Sequence, residues 1–287
     1  MIIVAIWFVS RMPFLIDDII SAQKELHKFR STLHTHKDSD DHERFIFPFL
    51  CGSYFTYRRI DVERIASIAK SVSNDPSYLD IGCGYGDFLE KVRQYLPKAE
   101  GMEKSVEMFF KLGRYKPDYI KIGDAYNEIE KKYDVIFVGW MEPGVDYRDK
   151  IAEKTEVIIT TFDKGGQCGV NGGCEMEVFG YERVASWVTP SWIDVNTELM
   201  NKYYSKLSDE IIKSLSKLRG AHNLWYVYAK PKYKESIKRT LRKQEEENQV
   251  NSPYPHEKIL DDCGFEVGEL LHSGPTSLEL WKISFDA

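Results

Sequence analysis

The chain offers little to a membrane. Its most apolar stretch near the start, Ile2–Val9, is eight residues long, whereas a helix needs about 20 to cross a bilayer. That stretch also lacks the positive charge ahead and the small-residue cleavage site behind that mark a signal peptide, and Asp17 and Asp18 follow soon after. It reads either as a buried strand or as sequence upstream of the true start, with Met12 as the alternative start. Cysteine is scarce. The five thiols (Cys51, Cys83, Cys168, Cys174 and Cys263) are odd in number and show no zinc-type pairing, which suits a reduced, cytoplasmic protein. Cys168 and Cys174 share a glycine-rich stretch and read as two free thiols in a flexible loop, with a pair formed under oxidation as the alternative. Excess positive charge is missing as well: 39 Lys plus Arg stand against 45 Asp plus Glu, excluding a uniformly basic coat for nucleic acid. No internal repeat or low-complexity tract appears.

What is present is an ordinary globular composition, 43% hydrophobic and 29% charged over 287 residues. That length buries a core without disulfide or metal staples. Leu15, Ile16, Ile19, Ile20, Leu26 and Phe29 recur at helical spacing, predicting an amphipathic N-terminal helix over Phe14–Leu33. The polar run His34–Glu43 then reads as a solvated loop. Although four histidines lie between His27 and His42, no residue set is assigned to a metal. Aromatic residues follow from Phe45 to Tyr57, and Asp61 is placed to cap a helix through Ile68.

From Ser77 strand and helix patterns alternate. Strands are predicted at Tyr78–Ile81, before Glu103, at Tyr119–Ile122, Tyr133–Val138 and Val157–Thr161. Helices are predicted at Phe88–Tyr95, after a Ser105 cap, and at Tyr147–Glu153. Such alternation argues for a parallel sheet covered on both faces. After Phe162 the rhythm breaks into a glycine-rich loop, short strands within Val178–Pro190, a helical run over Asn196–Leu218 and a strand at Leu224–Ala229. Lys230–Lys243 then carries seven cations against Glu235. The chain ends with Phe265–Leu271 and Leu278–Phe285, read as an antiparallel hairpin.

The most informative stretch is Asp80-Ile81-Gly82-Cys83-Gly84-Tyr85-Gly86-Asp87. Glycines between a strand and a helix allow a sharp turn and close approach of a ligand. The acid Asp87 stands where a dinucleotide fingerprint needs its third glycine, and no Gly-Lys-Ser/Thr follows. The turn therefore suits a ligand with a positive or neutral group near Asp80 and no pyrophosphate.

On these residues the chain resembles the class I S-adenosylmethionine-dependent methyltransferases, whose first motif is an acid followed by Gly-x-Gly-x-Gly. Asp80, Gly82, Gly84 and Gly86 match it, and Glu103 stands where the family holds both ribose hydroxyls. Asp124 matches the family's adenine-amino contact, and Gly139-Trp140-Met141-Glu142-Pro143-Gly144 occupies the fourth-motif position. The resemblance covers Asp61–Phe162 and Pro255–Phe285. It implies an α/β, Rossmann-like, seven-stranded, mostly parallel sheet with an antiparallel terminal hairpin. Residues 61–162 and 253–287 would form the cofactor-binding core, 1–60 an N-terminal cap, and 163–252 an inserted lid or substrate-binding region.

The activity so implied is in-line transfer of a methyl group from a sulfonium to an acceptor, a task mainly of alignment and water exclusion. Trp140 and Glu142 are the candidate catalytic residues: the indole could face a substrate ring or cation, and the carboxylate could take a proton. The Asn/Asp-Pro-Pro-aromatic signature for planar exocyclic nitrogens is absent after the fourth strand. No cysteine stands there for covalent pyrimidine chemistry. A small-molecule acceptor is favoured. RNA or protein, gripped by Lys230–Lys243, and a role as a non-catalytic cofactor-binding partner subunit remain open alternatives.

Overall fold

The computed structural model describes residues 21–22, 24, 47–51, 53, 55–105, 115–142, 144–163, 169–170, 174–203, 223–247, 252–271 and 278–286. Outside these lie Ile2–Val9, most of the Phe14–Leu33 helix, His27–His42, the helix expected after Ser105, Cys168, and the helical run beyond Tyr203.

The strands are β1 (Tyr78–Ile81), β2 (Glu100–Glu103), β3 (Ile120–Ile122), β4 (Val135–Gly139), β5 (Val157–Asp163), β6 (Glu182–Thr189), β7 (Asn223–Ala229), β8 (Leu270–Leu271), β9 (Leu278–Glu279) and β10 (Ser284–Phe285). The helices are α1 (Phe47–Cys51), α2 (Arg59–Val72), α3 (Asp87–Arg93), α4 (Arg148–Ala152), α5 (Trp192–Tyr203), α6 (Pro231–Glu247) and α7 (Glu257–Asp262). Eight strands make one sheet in the order β10-β6-β7-β5-β4-β1-β2-β3. The run from β3 through β2, β1 and β4 to β5 is parallel. Beyond it β7 lies antiparallel between β5 and β6, and β10 pairs antiparallel with β6.

Central strands such as β4, with Val135 to Val138 all buried, read as unbroken apolar runs because both faces of a parallel sheet are covered. One face packs Tyr78, Phe137, Ile159, Trp187 and Trp225 beneath α2, α3 and α6. The other packs Leu79, Ile81, Ile136, Val138 and Ile158 against Ile151 of α4.

The α/β, mostly parallel architecture is as expected, with eight strands in place of seven. The C-terminal hairpin forms between β8 and β9, but as a separate two-stranded ladder. The antiparallel end of the large sheet comes instead from β6 and β7, both inside 163–252, so the sheet does not pass from residue 162 straight to 253. The reason is length and pairing. β6 and β7 share a long ladder with stacked Trp187 and Trp225, their rings 5.4 Å apart. After β9 the backbone turns at Trp281, φ 57°, leaving only Ser284–Phe285 to join the edge.

Asp61 does not cap α2 as its first residue. The helix starts earlier, and Asp61 sits in its first turn, reaching back to accept the Arg58 N–H at 2.7 Å.

Candidate functional site

Ligands of doubly wound sheets bind beyond the carboxyl ends of the strands, where connections diverge to opposite faces. Here that position lies between β1, which leads to β2 on one side, and β4 on the other. The turn after β1 has Gly82, Gly84 and Gly86 at φ 71°, 56° and 81°, left-handed conformations that strain any other residue. At Gly82 and Gly84 an added Cβ would meet nothing within 4 Å, so both face open space. At Gly86 it would come 2.5 Å from Ile120 Cδ1; that glycine serves packing.

Glu103 at the end of β2 is fixed from both sides. Its Oε2 accepts the Gly84 N–H at 2.9 Å and its Oε1 the Ser105 N–H at 3.0 Å. Each oxygen keeps a lone pair for a further donor, the arrangement needed to hold two vicinal hydroxyls. Asp80, 2% exposed, lies beside it. Burial first and the Glu103 charge second push the Asp80 carboxyl well above its usual range, and among the described residues it has no hydrogen bond or ion pair. A buried acid without a partner favours an incoming cation. The open glycine cradle, the braced Glu103 and the unpaired Asp80 together fit a ligand bearing a cationic group and a sugar diol.

Asp124 and Glu142 meet at one cation: Lys104 Nζ lies 3.7 Å from Asp124 Oδ2 and 3.8 Å from Glu142 Oε2. The structure thus gathers loops after β2, β3 and β4 around Lys104, which sequence reasoning passed over. Its one sign was its place directly after Glu103. Asp124 Oδ1 accepts the Tyr126 N–H at 3.0 Å, which fixes the carboxylate locally. Glu142 is exposed.

Trp140 takes a left-handed backbone, φ 59°, a strain of order 1–3 kcal/mol that surrounding structure must hold. Its N–H donates to the Thr161 carbonyl at 2.9 Å, continuing the β4–β5 ladder by one rung. Its half-buried indole packs against both core faces, and the buried Nε1 has no partner.

Sequence reasoning also missed the wall beyond Trp140. Phe55 sits against Gly139, where an added Cβ would lie 3.2 Å from its ring, and contacts Trp225 with ring centres 5.5 Å apart. Thr56 next to it donates to Thr189 Oγ1 at 3.2 Å and to the Pro190 carbonyl. The Phe45–Tyr57 aromatic segment thus supplies side chains to the β4–β7 end of the sheet.

No protein-family model matches the chain, and no curated protein sequence does. Several solved structures align in part. DesVI of Streptomyces venezuelae is 21% identical over 36% of this chain and 49% of its own, TM-score 0.31. The chain therefore spans about half the length of that protein. The N-methyltransferase NodS of Bradyrhizobium japonicum is 12% identical over 60% of this chain and 96% of its own, TM-score 0.41. Magnesium protoporphyrin IX methyltransferase of Synechocystis, solved with bound S-adenosylmethionine, is 11% identical over 71% and 90%, TM-score 0.42. The fold itself, a Rossmann-like α/β sheet, is defined by the strand order.

Proposed function

We propose that the protein is an S-adenosylmethionine-dependent methyltransferase acting on a small-molecule acceptor. The observation that carries the proposal is the pairing of an unpartnered, buried Asp80 with a Glu103 braced against Gly84. When bound, S-adenosylmethionine supplies a methyl group already activated on a sulfonium. Asp80 would pair with its ammonium, Glu103 would accept both ribose hydroxyls, and Asp124 would accept from the adenine amino group. Gly82 and Gly84 leave the space for that approach. Trp140 would align the acceptor and keep water out, and Glu142 would receive the proton an acceptor nitrogen or oxygen releases.

Part of the basic stretch 230–243 is engaged within the molecule. Lys234 pairs with Glu182 at 2.7 Å and Lys232 with Glu156 at 2.5 Å. Lys230 donates to the Phe179 carbonyl at 2.7 Å, and Lys238 to that of Asp286. Among the described residues no helix is long and apolar enough to cross a membrane.

Calorimetry with S-adenosylmethionine tests the proposal. Wild type should bind, and Glu103→Ala should bind about 10–100-fold more weakly, since hydrogen bonds to a charged group are worth about 1.5–3 kcal/mol. Asp80→Ala should weaken binding comparably. A wild type that does not bind, or two variants that bind like wild type, would overturn it.

A further inference from the structure

The carboxyl end of β5 and the facing start of β7 hold polar atoms that the fold leaves unused. Thr161 and Asn223 are fully buried, and neither Thr161 Oγ1 nor Asn223 Oδ1 has a hydrogen-bond partner. Trp140 Nε1, on the residue after Gly139, is likewise buried and unpaired. Leaving a buried polar atom unsatisfied costs about 1–3 kcal/mol each, and native proteins hold few.

The register places Thr161 and Asn223 together, and Trp140 follows Gly139 of the same row, its backbone N–H on the Thr161 carbonyl. Gly139 pairs with Thr161, and Thr161 with Trp225, so these three stand in one row on one face of the sheet. Asn223 follows two positions along β7 on that same face, diagonal to Thr161, within reach of one small molecule. Asp80 belongs to the same face, paired with Phe137 in the row below. Thr160 Oγ1 is also unpaired, but alternation along β5 turns it to the opposite face, with Ile158 and Phe162. Asn223 is anchored at one end: its Nδ2 donates to the Pro190 carbonyl at 3.4 Å, which turns Oδ1 away as the available acceptor. Phe55 and Trp225 make the surroundings aromatic.

Resting on the methyltransferase reading, we propose that Thr161, Asn223 and the Trp140 indole N–H select the methyl acceptor. Their chemistry fits an uncharged, planar or ring-bearing molecule that offers an N–H or O–H to Asn223 Oδ1 and an oxygen or nitrogen to Trp140 Nε1. Thr161 Oγ1 serves as donor or acceptor. No charged side chain belongs to the set, so the part of the acceptor seated there is neutral.

Apolar isosteres test this. Thr161→Val and Asn223→Leu remove the polar atoms, and Trp140→Phe removes the indole N–H while keeping a ring. The Pro190 carbonyl keeps its Thr56 donor in the Asn223 variant. If the groups serve a ligand, Thr161→Val unfolds at the wild-type temperature or above, and the calorimetric S-adenosylmethionine affinity of all three variants stays within about twofold. Transfer of labelled methyl from S-adenosylmethionine into the small-molecule fraction of native cells should fall at least about tenfold. A lowered unfolding temperature in Thr161→Val overturns the proposal, because buried water would then satisfy this atom for the fold's sake. Undiminished methyl transfer overturns it too. The unfolding arm uses no cofactor, so it tests Thr161 even where the cofactor reading fails.

Discussion

Asp61 binds two indoles at once: Oδ1 accepts from Trp187 Nε1 at 2.7 Å and Oδ2 from Trp281 Nε1 at 2.8 Å. The guanidinium of Arg64 lies 3.8 Å from Oδ1 and over the Trp187 ring at 5.0 Å. Burial pushes the Asp61 carboxyl up to about 6, while Arg64, the Arg58 N–H and the two indoles pull it back. Asp61→Asn turns an N–H₂ toward one of these donors and leaves Arg64 buried without its counter-charge. Removing one partner of a buried pair costs about 3–5 kcal/mol, and a urea titration followed by tryptophan fluorescence should register that loss. In the sequence Asp61 reads only as a helix cap, because its partners lie 126 and 220 residues away. Asp80 and Glu103 are legible by contrast, since Asp80 is the last residue but one of β1 and Glu103 the last of β2, each at the edge of a local pattern. Thr161 and Asn223 are not: an unpaired hydroxyl or amide is a property of the packed neighbourhood, and nothing adjacent in the chain announces it.

The turn from β1 into α3 concentrates the conformational demands of the site in three glycines. Gly86→Ala should be the more damaging to stability, because a left-handed alanine costs about 1–2 kcal/mol and its Cβ would also press on Ile120. Gly84→Ala carries the same backbone cost with free space at its Cβ, so its unfolding temperature should fall less while cofactor affinity falls more. Thermal unfolding and calorimetry on the two variants separate the effects; equal affinities would assign both glycines to the fold alone. The parallel half of the sheet is readable because strand and helix periods alternate over short distances. The antiparallel half is not, since β6 ends at Thr189 and its partner β7 begins only at Asn223, and periodicity links nothing across that gap. The two-residue strands β8, β9 and β10 are too short for alternation to assign.

The two arms of the chain meet around His256. Its Nε2 donates to the Tyr57 carbonyl at 2.9 Å, and its ring stacks on Tyr254 with centres 5.7 Å apart. Burial, with smaller contributions from Lys91 and Arg58, lowers the imidazole from 6.5 to about 4, against the pull of the Tyr57 carbonyl. The unfolded chain therefore takes up the proton first as pH falls. The stabilisation is complete above pH about 6.5 and is lost as pH drops toward about 4. Asp61, raised in the fold, works in the opposite sense over part of that range, so the contribution of His256 shows as a difference between proteins. His256→Gln keeps an N–H donor and removes the titration; its unfolding temperature between pH 4 and 6.5 should decline less steeply than wild type. Parallel pH profiles would dissociate His256 from acid lability.

Arg58 adds to the same junction, reaching Glu257 at 3.3 Å and the Phe265 carbonyl at 2.7 Å. These contacts close loops of about 200 residues, a separation of 199 for Arg58–Glu257 and 220 for Asp61–Trp281. Closing such loops comes late and slowly in folding. On the ribosome α2 emerges early, yet its buried carboxylate and guanidinium must wait for Trp281 before their network is complete. Until those 220 residues have followed, the helix holds its charges without one of the two indoles they are built around.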